Sequence, residues 1–218
     1  MKTFEEMLAM LSQECMAKVM IFHARYAKEF SVMPASLRRH HSWPGGYSEH
    51  VLEVMNNALI IDANVPLPRK NYTKDDLILA SYFHDIDKLI CRYIADAEKP
   101  TSRQADFARS LGIVLAPTES KRSISRKIEL KQAGQPIDPA KISMFVYNNG
   151  IPSYFAPAMV CRVCYENGIK LSDQALHAIT FHEGGFTPGM EPHTELQPLA
   201  AVIHAADLLS TIGQNGAK

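Results

Sequence analysis

Excess charge of either sign is missing from this chain. Its 218 residues carry 23 Lys+Arg against 23 Asp+Glu. No overall field therefore draws it to nucleic acid or to a membrane surface, and any such binding needs a local patch. Long apolar runs are missing as well. No stretch approaches the roughly 20 apolar residues of a membrane span. Glu5 and Glu6 sit where a secretory leader needs an unbroken apolar run. The expectation is a soluble, cytoplasmic protein with no membrane partner. Cysteine is scarce, and the four present (Cys15, Cys91, Cys161, Cys164) fit a reducing compartment. Cys161 and Cys164 form a CxxC with no second Cys or His pair close by, so they read as two packed thiols on a helix rather than a zinc site. Repeats and low-complexity tracts are absent. Strand signals are few, with "RKIELKQAG" (126–134) the only candidate.

What is present is helical patterning. Hydrophobic residues make up 46% of the chain and charged residues 21%, an ordinary globular balance. Phe4, Met7, Leu8 and Leu11 fall at helical spacing. After a breaker-rich loop at 34–46, a helix starts near Ser48 with Val51, Val54, Met55, Ala58 and Leu59 as its apolar stripe. Thr73 with Asp76 reads as a capping box opening a helix to about residue 97. Asp138-Pro139 looks like a helix start and Asn149-Gly150 a stop. Further helices are expected at about 153–166 and at 172–182, the second capped by Ser172. A loop at 183–197 leads to a last helix from Pro198 to Gly213. The fold class is therefore all-α, a single domain over 1–218 with a candidate insertion or cap region at 99–137.

Three of these helices carry ligand-type side chains on apolar faces. The stretch "SYFHDIDKLI" (81–90) has His84 and Asp85 adjacent within a run that otherwise reads as buried. His50 borders the stripe of the helix before it. On the last helix Ala200, Ile203, His204, Asp207, Leu208 and Thr211 form one face, so Asp207 sits where a core residue belongs. Each taken alone has an ordinary explanation, such as a satisfied core histidine or a paired carboxylate. Together they are accounted for by a divalent cation, which supplies the charge that burial of carboxylates otherwise lacks.

The segments "HHSWPGGYSEHVLEV", "FHDIDKL" and "VIHAADLLS" resemble the three signatures of the HD-domain superfamily of metal-dependent phosphohydrolases. The segment before His50 also resembles HD proteins linked to nucleic-acid processing, including exoribonucleases of the YhaM type. The resemblance covers roughly residues 38–97 and 170–212. It implies an HD-type helical bundle and a metal site of His50, His84, Asp85 and Asp207. Many nucleotidases of the superfamily have Glu at the fourth position after the paired His, where this chain has Lys88. That form is closer to the "HDIGK" members. No histidine lies between His84 and His177, whereas two-metal members place histidines across that interval.

The expected function is hydrolysis of a phosphoester or phosphoanhydride, in a nucleotide or short oligonucleotide, by metal-activated water. Asp85 is a ligand and proton acceptor. Lys88 is placed to contact the phosphoryl oxygen, and His182 in "TFHEGGF" is a candidate acid or second-metal ligand. Arg122, Arg126 and Lys127, in a basic run, are candidates for guiding a phosphorylated substrate. His40, His41, Trp43 and the Gly45-Gly46 turn are candidates for the pocket wall. One tightly bound divalent ion (Mn, Fe, Co, Ni, Zn or Mg) is expected. A second ion would have to draw on His182, His177, His193 or His204. Two alternatives stand beside this reading: a di-iron HD-fold oxygenase, which the missing mid-chain histidines disfavour, and a non-catalytic nucleotide sensor.

Overall fold

The computed structural model describes residues 1–67, 69–151, 155–184 and 196–212. Among them are ten α-helices and one two-stranded antiparallel pairing, an all-α fold. Its centre is a ring of four helices: α4 (Gly46–Asn64), α5 (Lys74–Phe83), α9 (Asp173–Phe181) and α10 (Pro198–Ile212). α4 packs on α5, α5 on α9, α9 on α10, and α10 back on α4. Val51, Val54, Met55 and Ala58 of α4 are buried, the stripe expected from their spacing. α1 (Phe4–Leu8), α2 (Gln13–Arg25) and α3 (Ala27–Val32) precede the ring. They bring Phe22 and Phe30 into an aromatic cluster with Tyr82 and Phe83. α8 (Ala156–Glu166) packs on α9 and carries Cys161 and the buried, free Cys164.

α5 and α9 are tied together at their starts. Thr73 and Asp76 form the expected capping box, and Ser172 caps α9. The Ser172 hydroxyl then donates to Asp76 Oδ1 (2.5 Å), so one carboxylate serves two helix N-termini.

Four expectations need correction. The helix from Thr73 does not run to residue 97. It stops at Phe83, and after a turn the chain forms a π-helical segment, Lys88–Arg92, and then β1 (Tyr93–Ala95). The stretch 138–149 holds only a 3-10 turn, Pro139–Lys141, because the β-branched and aromatic residues that follow it form β2 (Phe145–Tyr147), which pairs with β1 in the register Tyr93 to Tyr147. "RKIELKQAG" lies in α7 (Lys121–Gln132), not in a strand. Ser120 caps that helix, and Ile124 and Ile128 share its inner face. On α10 the buried residues are Leu199, Ala200, Val202, Ile203, Ala206 and Ser210, so Ala200 and Ile203 fall where expected. Leu208 is exposed, which leaves Asp207 at the edge of that face. The loop expected at 183–197 lies largely outside the described residues. α7 pairs with α6 (Ser102–Ser110) over a small cluster of its own, built on Ala108, Ile113 and Ile124. No helix among the described residues is long and apolar enough to cross a membrane.

The shared carboxylate makes a stability prediction. Thr73→Ala removes one cap, worth about 1 kcal/mol. Asp76→Ala removes a cap and the charged acceptor of Ser172, together roughly 2 kcal/mol. Urea unfolding of the two variants should separate them, and equal losses would show that the link to α9 contributes nothing.

Candidate metal centre

The site lies where the ends of α5 and α9 meet the sides of α4 and α10. A helix leaves its last four carbonyls without intrahelical donors. α5 ends at Phe83, and the imidazole of its C-cap residue, His84, folds back so that Nδ1–H donates to the Ser81 carbonyl (2.7 Å). α9 repeats the arrangement. It ends at Phe181, and Nδ1–H of its C-cap residue, His182, donates to the Ile179 carbonyl (2.7 Å). A carbonyl can only accept, so in the neutral state of both rings Nε2 carries the lone pair.

His50 reaches the same state by another route. The Ser210 hydroxyl on α10 donates to the Asp207 carbonyl (2.8 Å), leaving its oxygen to accept His50 Nδ1–H (2.8 Å). The Nε2 of His50 then lies 3.3 Å from His84 Nε2, 3.5 Å from Asp85 Oδ2 and 3.2 Å from Asp207 Oδ1. His84 Nε2 is 3.4 Å and His182 Nε2 3.7 Å from the Asp85 carboxylate. His50, His84 and Asp85 have ligand atoms close enough to share one ion. Asp207 joins through His50, and His182 through Asp85. Lys88 pairs with Asp85 Oδ2.

The electrostatics follow from this crowding. Burial opposes ionisation of Asp85, but Lys88, His84, His182 and His50 outweigh it and hold its carboxyl well below the usual range. Burial likewise opposes ionisation of Asp207, whose pKa is nonetheless lowered by the hydrogen bond to His50 and the charge of His84. Burial works against a proton on His182, yet the Asp85 hydrogen bond and charge push its pKa up to about 9. His50 is raised in the same way by Asp207 and Asp85 against its burial. A set of lone pairs and carboxylates that draws protons this strongly also suits a cation, because two facing Nε2 lone pairs need a positive centre between them. The donors present, imidazole and carboxylate, fit a divalent first-row ion.

The other expected residues fall into three groups. His40 is beside the site, its ring 4.9 Å from His50. His41 is buried with Nε2 3.2 Å from Glu53. A Cβ on Gly46 would come within 2.2 Å of the His41 carbonyl, which explains a glycine at the start of α4. Trp43 donates to Glu49 (3.1 Å), and its ring lies 5.2 Å from that of His41. Among the second-ion candidates, His204 donates Nδ1–H to the His182 carbonyl (2.7 Å), holding the end of α9, and a side chain at Gly184 would collide with its ring. His177 packs on Phe181. His193 lies outside the described residues. The basic run divides. Arg122 and Arg126 line a cavity of about 970 Å³ that shares Arg38 and Tyr147 with the smaller one at Lys88, and Arg126 pairs there with Glu129 (3.2 Å). Lys127, expected to face substrate, is itself buried and turns inward to pair with the half-buried Glu119. Its charge is cancelled inside the α6–α7 unit.

Sequence reading passed over Ser210, Arg38, Arg39 and Arg92. Ser210 lies three residues beyond Asp207, one turn on, a spacing that could have flagged it. Arg92 pairs with Asp87 (3.4 Å), whose pKa is raised to about 6 by burial and by Asp85. A second sequence signal was also available: Phe-His-acid occurs at both helix ends, Phe83-His84-Asp85 and Phe181-His182-Glu183.

No family model, curated protein or solved structure matches the chain. The helical bundle with its buried His/Asp cluster is compatible with an HD-like fold.

Ser210 provides a test of the tautomer argument, since it holds a ligand without being one. Ser210→Ala should weaken binding of Mn or Zn about 10- to 100-fold while circular dichroism stays unchanged. Titration calorimetry reads the affinity, and wild-type affinity in the variant would remove Ser210 from the site.

Proposed function

We propose that the chain is an HD-type metal-dependent phosphohydrolase acting on a small phosphorylated substrate, with a nucleotide as the leading class. The observation that carries the reading is the convergence of three imidazole Nε2 atoms, each with its Nδ1 engaged elsewhere, on two carboxylates beside a half-buried lysine. His50, His84, Asp85 and Asp207 would hold the ion, one per chain. A divalent ion so held supplies Lewis acidity and a lowered pKa for water at neutral pH.

The chain's own residues supply the rest. Lys88 Nζ sits at the mouth of the cluster, against Asp85 and on the wall of a cavity of about 380 Å³. A phosphoryl oxygen entering from that cavity meets an ammonium whose pKa is raised; burial alone would lower it, but the charge of Asp85 prevails. Lys88 therefore stays cationic and offsets negative charge as it grows on that oxygen. Asp85 can accept the proton lost by the attacking water. His182 holds a proton on Nε2, placed to be given to a leaving oxygen.

Two outcomes check this. Asp207→Ala should reduce bound metal from one ion per chain and abolish phosphodiesterase activity with helicity retained. Elemental analysis after dialysis and an assay with bis(p-nitrophenyl) phosphate measure both, and full metal with full activity would refute the ligand set. Lys88→Ala should lower kcat by about 100-fold or more, with KM changed much less and metal retained. A change confined to KM would show that Lys88 acts in ground-state binding only.

A further inference from the structure

One oriented cation beside the metal centre has no part in the chemistry above. Arg92 closes the π-helical segment that Lys88 opens, about one turn away. Both line the inner cavity of about 380 Å³. π turns are rare and concentrate at functional sites. The backbone of Arg92 is pinned beside the β1–β2 pairing, where Asn148 N–H donates to its carbonyl (2.8 Å). Its guanidinium is held by Asp87, with Nη1 3.4 Å from Oδ2.

Stability alone does not account for this pair. Asp87 is 2% exposed, and its Oδ1 has no hydrogen-bond partner among the described residues. A buried carboxylate with an unfilled acceptor costs free energy that a surface pair does not. What the arrangement supplies is orientation. A guanidinium carries five N–H donors in a rigid plane. One edge of Arg92 faces Asp87. The other donors meet no carboxylate among the described residues, since Glu183 lines the same cavity without forming an ion pair with it.

Counting acceptors shows what those donors can take. A diester phosphoryl group has two non-bridging oxygens. On the hydrolytic reading the ion polarises one and Lys88 meets the other. Arg92 then needs a further acceptor, about one turn along the wall. A second phosphate supplies it and matches the planar fork with two parallel bonds. A carboxylate has the same fork but less charge to offer Arg38 and Arg39, the further cations of this cavity.

We propose that Arg92 is a specificity-determining residue that binds a second phosphate of the substrate, and that Asp87 is a positioning residue acting through it. That Lys88 holds the reacting phosphoryl group rests on the hydrolytic reading; the preference of Arg92 for a second phosphate does not.

Binding of inorganic pyrophosphate and of inorganic phosphate is measured by titration calorimetry on the full chain, freed of metal by dialysis against chelating resin. Pyrophosphate should bind about tenfold or more tighter than phosphate. Arg92→Gln should remove most of that difference. Arg92→Lys, which keeps the charge and loses the fork, should restore less than half of it. Asp87→Asn tests the positioning role by its sign. Loss of a negative charge beside the cavity would by itself tighten an anion, whereas a loosened guanidinium weakens it. Pyrophosphate affinity should therefore fall about threefold or more in that variant. Equal losses for the two anions in Arg92→Gln, full restoration by Arg92→Lys, unchanged or tighter pyrophosphate binding in Asp87→Asn, or malonate bound as tightly as pyrophosphate would overturn the assignment. Pyrophosphate selectivity as expected, with no hydrolysis of bis(p-nitrophenyl) phosphate on adding Mn, supports Arg92 and overturns the hydrolytic reading. Hydrolysis without that selectivity does the reverse.

Discussion

The Asp85 carboxylate is 2% exposed, and the rest of the site is organised around keeping it charged. An ionised carboxylate moved out of water without partners costs far more than a domain's margin of stability. Here it is met by Lys88 from its own segment, His84 beside it, His50 from α4 and His182 from α9. Each partner is a side chain that would itself be costly to bury alone. The cluster is stable only as a set, which is why four helices must meet at one point. The ring of α4, α5, α9 and α10 is the packing solution that lets them do so.

The same need explains how α5 and α9 end. A straight helix through residue 97 would satisfy its own carbonyls and leave the His84 ring free to choose a tautomer. Stopping at Phe83 frees the Ser81 carbonyl, and the imidazole takes it. The helix end then defines which ring nitrogen faces the cluster. α9 does the same with His182, and His204 secures the next turn by donating to the His182 carbonyl. The N-termini of the two helices are joined through Ser172 and Asp76, and both C-termini face Asp85. Cap chemistry at one end and tautomer control at the other thus belong to a single pair of aligned helices.

These features differ in how far they could be read from the residues alone. The all-α class, the capping box at Thr73 and the cap at Ser172 are local in sequence and were legible. Ligand-type residues on apolar faces at 50, 84, 85 and 207 stood out because charge rarely occurs there. The break at Phe83 was not legible, because it depends on a side chain competing for a backbone carbonyl, and the apolar pattern continues through it. Nor was the fate of Lys127 legible: Lys127 and Arg126 are adjacent, yet the turn of α7 sends one inward to Glu119 and the other outward to Glu129 at the wall of the larger cavity. Arg38 and Arg39 sit in a loop with no periodicity to orient them. Residues 99–137 resembled no signature, and they carry one wall of the larger cavity.

The charge balance at the centre joins the zero net charge of the whole to the chemistry suggested for it. With neutral imidazoles, the two carboxylates Asp85 and Asp207 exceed Lys88 by one negative charge, while Asp87 and Arg92 offset each other. Protons on His182, whose pKa is pushed up to about 9, and on His50 make up that deficit, and a cation held by the cluster would take their place. With the imidazoles neutral, a divalent ion would leave the cluster with one positive charge, which on the proposed hydrolytic reading would meet the single negative charge of a phosphodiester. Beyond the centre, Glu183 is the one acidic side chain among the described residues on the inner cavity, against Arg38, Arg39, Lys88 and Arg92. The surplus of positive charge lies on the approach, and the negative charge lies where the ion is to be held. On the proposed reading, a chain with no net charge would in this way attract a phosphorylated ligand through a local surplus of cations beside the site.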